Sequence, residues 1–119
     1  MKKVVVIEDD TGMIELLSHW LGREDCAVVA LSNGLEAVAF ISKKDEPPQA
    51  VILDLVLPGR SGFELLSPIK SKWPETKVFV FSGSVESVSQ LPEGCTDGIF
   101  FKPGGMKNLM SSIHVALQD

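Results

Sequence analysis

Short apolar runs alternate with stretches of helical periodicity along the whole chain. Val4-Val5-Val6-Ile7 is a β-branched run with the composition of a strand buried on both faces. It stops at Glu8-Asp9-Asp10 and Thr11-Gly12, which places negative charge where a helix begins. Met13, Leu16, Leu17, Trp20 and Leu21 then recur at helical spacing and predict a core-facing stripe closed by Gly22. Ala27 to Leu31 reads as a second strand and Ser32-Asn33-Gly34 as the turn or cap after it. The helix that follows is predicted to turn Leu35, Val38, Ala39 and Ile41 or Ser42 inward and to end before Pro47-Pro48.

Ala50 to Leu55 predicts a third strand, and Phe63, Leu66, Ile69 and Lys70 a third helix weakened by Pro68. Val78 to Phe81 is the most clearly apolar strand. Ser84 to Gln90 makes a poor helix, serine-rich and cut short by Pro92 and Gly94. Ile99-Phe100-Phe101 predicts a fifth strand, and Met106, Leu109, Met110, Ile113 and Leu117 an amphipathic last helix. Five βα units share the 119 residues at about 24 each, which suits a minimal parallel sheet with helices on both faces.

In such a sheet all strands end on one edge, and ligands bind there. Glu8, Asp9 and Asp10 follow the first strand, Asp54 falls in the third, Ser82 follows the fourth and Lys102-Pro103 the fifth. Asp54 interrupts an apolar run, where an unpaired carboxylate is costly. Beside Glu8 and Asp9, like charges raise at least one pKa unless a cation intervenes. Oxygen-only ligands with room for water suit Mg²⁺ better than zinc. Lys102 adds a point charge suited to phosphate and Ser82 a hydroxyl. The set amounts to a site for phosphoryl transfer onto a carboxylate.

Composition narrows the partners. The 119 residues suit one domain, and 11 Lys and Arg against 16 Asp and Glu leave a net charge of −5, which argues against direct contact with nucleic acid. The longest unbroken apolar run, Cys26 to Leu31, is far shorter than the ~20 residues of a membrane span. Cys26 and Cys95 make neither a disulfide framework nor a zinc set, and the expected compartment is the cytoplasm. His19 and His114 fall on predicted helices and read as surface or helix-end residues.

Four segments now align with a known pattern. Val5-Val6-Ile7-Glu8-Asp9-Asp10, Leu53-Asp54-Leu55-Val56-Leu57-Pro58-Gly59-Arg60-Ser61-Gly62, Phe81-Ser82-Gly83 and Phe101-Lys102-Pro103 resemble the receiver domain of two-component response regulators. Asp9, Asp54, Ser82 and Lys102 lie 45, 28 and 20 residues apart, spacings similar to the family's. The resemblance covers residues 1–119 and implies a flavodoxin-like (βα)5 fold, a doubly wound parallel five-stranded sheet in strand order 2-1-3-4-5. It implies Asp54 as phosphoacceptor, with Glu8, Asp9, Asp54 and the backbone carbonyl of Val56 around Mg²⁺. Ser82 and Lys102 would contact the phosphoryl group, the Lys102-Pro103 bond would be cis, and Asp10 would be a helix-start charge. The donor would be a sensor histidine kinase or a histidine phosphotransfer protein, and the output a partner or further sequence. The domain would be a monomer or a phosphorylation-dependent dimer and would turn over no separate substrate.

The output side departs from the family pattern. Ile99 stands where members usually carry Tyr or Phe, and the chain has no Tyr. Signalling through the fourth and fifth strands is therefore expected to use the loop or the fourth helix without a rotating ring. The alternative is a receiver-like protein interaction module that works without phosphorylation. A phosphatase of the haloacid dehalogenase type would want a second Asp where Val56 stands. Flavin binding of the flavodoxin kind would want a phosphate cradle in place of the acidic first loop.

Overall fold

The sheet owes its character to three inner strands that bury side chains on both faces, flanked by two more exposed edge strands. In the computed structural model, which describes residues 2–43 and 46–118, the elements run β1 (Lys3–Ile7), α1 (Thr11–Leu21), β2 (Ala27–Leu31), α2 (Gly34–Ile41), β3 (Ala50–Leu53), α3 (Gly62–Lys72), β4 (Lys77–Ser82), α4 (Val85–Ser89), β5 (Gly98–Phe101) and α5 (Met106–Ala116). All strand pairs are parallel, in the order β2-β1-β3-β4-β5. This is the doubly wound, flavodoxin-like arrangement expected from the sequence.

Alternation along each strand divides the core into two layers. Val5, Ile7, Val51, Leu53 and Val78 pack with Ala37, Ile41, Leu65, Leu66, Ile69 and Trp73 under α2 and α3. Val4, Val6, Ala50, Ile52, Phe79 and Phe81 pack with Leu17, Leu21, Leu109 and Ile113 under α1 and α5. β1, β3 and β4 lie inside the sheet, which explains their unbroken apolar runs.

Several details differ from the sequence reading. Leu16 is 44 % exposed, so α1 buries Leu17 and Leu21 rather than the full stripe. On α2 the inward face is Gly34, Ala37 and Ile41, while Leu35 is 65 % exposed and Ala39 is also outside. β3 ends at Leu53 rather than Leu55, and the chain turns out of the sheet there. α3 runs through Pro68, the weakening residue expected within it. The missing N–H leaves the Glu64 carbonyl without its helical donor, but Glu64 and Pro68 are both exposed, so the carbonyl is open to solvent. α4 is short as expected: five residues, none of them buried.

That shortness exposes the edge strand. Phe100 packs edge-to-face on Phe79, with ring centroids 6.1 Å apart. Ile99 and Phe101, paired with Val80 and Ser82, face the other way and remain exposed because α4 does not reach over them. Among the described residues, no helix is long and apolar enough to cross a membrane.

Candidate functional site

The sheet ladder extends one residue beyond three strands and thereby fixes the site. The Glu8 N–H donates to the Leu31 carbonyl at 3.0 Å, the Asp54 N–H to Ile7 at 3.0 Å, and the Lys102 N–H to Ser82 at 2.9 Å. Each of these residues is therefore held on the C-terminal edge by a neighbouring strand. The Lys102-Pro103 peptide is cis, as the family resemblance implied.

Side chains close the arrangement. The Lys102 ammonium lies 2.5 Å from Glu8 Oε1 and 3.1 Å from Asp54 Oδ2, and 5.8 Å from the centre of the Phe81 ring. The Val56 N–H donates to Asp54 Oδ1 at 3.1 Å, so both acceptor oxygens have a partner. Glu8 Oε2 accepts from the Asp10 N–H at 3.2 Å, while Asp10 caps α1 by accepting from Met13 at 3.2 Å. Asp10 is thus a helix-start charge. Glu8 and Asp54 are buried and Asp9 is exposed, yet one carboxylate oxygen from each lies within 4.8 Å of the others.

Electrostatics follow from this crowding. Burial pushes the Glu8 carboxyl above the ordinary carboxylate range, and the Asp54 charge adds to the shift, outweighing the bond from Lys102. Burial opposes the charged form of Lys102, but its bonds to Glu8 and Asp54 prevail and raise its pKa. Three carboxylates and one ammonium leave a formal surplus of two negative charges in a set of oxygen donors. That chemistry fits a hard divalent cation.

Of the residues singled out in the sequence, Glu8, Asp9, Asp54 and Lys102 come together around this cluster. Val56 lies beside it and contributes its N–H to Asp54. Ser82 reaches the same edge, fully buried, but its Oγ accepts from the Ser84 N–H at 3.1 Å, within its own turn. Gly62 is a contributor the sequence reading did not weigh. A Cβ there would sit 2.3 Å from the Asp54 carbonyl oxygen and 2.6 Å from Leu55 Cα. The signal was present as a glycine at a helix start eight residues after Asp54.

Comparison with known proteins agrees with this geometry. The family described as the response regulator receiver domain matches residues 4–114. A cyclic di-GMP phosphodiesterase of Thermotoga maritima is 30% identical over 118 residues, covering 98% of this chain and 31% of that protein. The chain thus spans about a third of that relative's length. The response regulator TrrA of Thermotoga maritima, solved in complex with Mg²⁺-BeF, is 28% identical with a TM-score of 0.83, covering 98% of this chain and 100% of that one. A Burkholderia pseudomallei response regulator, solved with a phosphorylated aspartic acid, calcium and citrate, is 28% identical with a TM-score of 0.79, covering 99% and 67%. With its strand order, its clustered acids and a family match over nearly the whole length, the chain belongs to the response regulator receiver domains.

Proposed function

We propose that this receiver is a phosphoacceptor switch in which Asp54 takes a phosphoryl group from a histidine kinase or a histidine phosphotransfer protein. The observation that carries the reading is the environment of Asp54: a buried carboxylate between the Val56 N–H and the Lys102 ammonium, inside a three-carboxylate cluster. The Mg²⁺-bound and aspartyl-phosphorylated relatives support it.

The chain's own groups perform the following tasks. The Val56 N–H holds Asp54 Oδ1 and leaves Oδ2 to attack phosphorus. A bond forms between Oδ2 and phosphorus as the bond from phosphorus to the donor nitrogen breaks, and the donor leaves with that electron pair. Lys102, released from Asp54 Oδ2, follows the charge onto the phosphoryl oxygens while Glu8 retains its other contact. Glu8, Asp9, Asp54 and the Val56 carbonyl would hold Mg²⁺, which when bound neutralises the phosphoryl oxygens.

The signal leaves through Ser82. Its hydroxyl, which accepts from the Ser84 N–H, turns to donate to a phosphoryl oxygen, and loss of the Ser84 bond releases the segment leading into α4. With Ile99 exposed and no ring in its place, the response is a rearrangement of residues 83–90 rather than an aromatic rotation. The exposed β5 face also favours the second reading, a docking module that needs no phosphorylation.

Intact-mass measurement after incubation with acetyl phosphate and Mg²⁺ separates the two. Uptake of one phosphoryl group by the wild type and none by Asp54→Asn supports the switch. No uptake from acetyl phosphate or from kinases supports the docking module.

A further inference from the structure

The acceptor segment rests on an element that supplies none of the site's side chains. After β3 the chain turns at Pro58-Gly59-Arg60, and this turn lies against the first residue of α2. The Gly34 N–H donates to the Pro58 carbonyl at 3.0 Å, and the Arg60 N–H reaches the same oxygen at 3.1 Å. A Cβ on Gly34 would fall 2.4 Å from Arg60 Cβ and 2.5 and 2.6 Å from the Arg60 backbone nitrogen and oxygen. Backbone closes that space, so no side-chain rotation can open it. Gly59 completes the approach at φ +84°, with Leu35 Cγ 3.3 Å from the position of its absent Cβ.

The supporting helix end is itself well fixed. Asn33 Oδ1 accepts from the Glu36 N–H at 2.9 Å, and the Glu36 carboxylate accepts from the Ser32 N–H and hydroxyl, each at 2.7 Å. At the far end of the segment the Gly62 N–H donates to the Leu55 carbonyl at 3.0 Å. Residues 55–61 are therefore held between two glycine contacts, one local and one reaching across to α2.

We propose that Gly34 is a positioning residue for the Asp54 site: it holds the 55–61 segment, and with it the Val56 amide that orients Asp54, through a backbone contact no larger residue permits. The proposal rests on Asp54 as the acceptor. Linkage makes the effect reciprocal, so whatever orders the segment around Val56 also suppresses opening of the bond from Gly34 to Pro58.

The test compares Gly34→Ala with Ala39→Gly, which weakens the same helix on its exposed side without touching the turn. Gly34→Ala is expected to move the amide resonances of Val56, Gly59 and Arg60 and to slow phosphoryl uptake from acetyl phosphate on the order of ten- to a hundredfold. Ala39→Gly is expected to keep uptake within about twofold of wild type. Equal losses in both variants would assign the effect to helix stability and overturn the proposal. Should Gly34→Ala not fold, the wild type decides: saturating Mg²⁺ is expected to slow hydrogen exchange at the Gly34 amide by about fivefold or more. Unchanged exchange there overturns the proposal. A wild type that takes up no phosphoryl group would remove the acceptor reading, and the exchange measurement would still decide the role of Gly34.

Discussion

Lys102→Met keeps the side-chain stem and removes the only ammonium bonded to Glu8 and Asp54 among the described residues. Those two carboxylates are 2 % and 6 % exposed, so water cannot replace the lost partner. Two charges within 4.8 Å repel by about 3 kcal/mol at an effective dielectric constant near 20. Removing one partner of a buried pair costs about 3–5 kcal/mol, which Lys102's partial exposure reduces. Protonation of Glu8, already favoured by burial, limits the loss further, so a net destabilisation of about 2–3 kcal/mol is expected. For a domain of this size the melting temperature should fall by about 10 °C. The assay is thermal and urea unfolding at neutral pH, in chelator and then across a Mg²⁺ titration. Glu8→Gln combined with Lys102→Met should recover about half the loss, and Mg²⁺ should stabilise Lys102→Met more than the wild type. A variant that melts within a degree or two of wild type in chelator would refute the electrostatic account.

Further outcomes follow from the same geometry. Gly62→Ala forces a Cβ to 2.3 Å from the Asp54 carbonyl, and should cost about 2–3 kcal/mol in urea unfolding together with most phosphoryl uptake. Ser82→Ala should retain uptake by intact mass within a few-fold but lose the change in hydrogen exchange at residues 83–90 that beryllofluoride induces in the wild type. Asp97 is held below the usual carboxylate range: burial opposes this, but the Val78 N–H, Lys70 and Lys77 outweigh it. A depressed carboxylate stabilises the fold above its unfolded pKa, so the contribution is complete above about pH 4 and fades as pH falls through the lower folded value. Asp97→Asn should therefore be about 1 kcal/mol less stable at pH 7, after allowance for solvent screening. The two stability curves should converge in strong acid.

The strands and the clustering of the candidate site residues were legible for a common reason. Buried parallel strands carry unbroken β-branched runs, and a carboxylate such as Asp54 stands out against Ala50 to Leu53. What escaped was rotation and contact. Leu35 is apolar and at helical spacing, yet α2 turns it outward because Gly34 must meet the Arg60 backbone. That requirement is set by a segment 26 residues away, and hydrophobic periodicity does not contain it. Leu55 looked like a strand residue because it continues the apolar run, but it lies beyond the last ladder pair and is buried next to the turn into α3. The preference of Ser82 for Ser84 over the carboxylates was likewise a matter of local turn geometry.

α4 has a thermodynamic consequence of its own. A helix with no buried side chain exposes little new apolar surface when it opens, so its opening adds little to the denaturant dependence or heat capacity of unfolding. Its local opening free energy is therefore set by the Ser84 cap and a few backbone bonds, well below that of the sheet. Heat or urea would report the core and pass over this segment. Residues 83–90 are therefore expected to open before the sheet does, and a change there can be large in structure while remaining small in global stability.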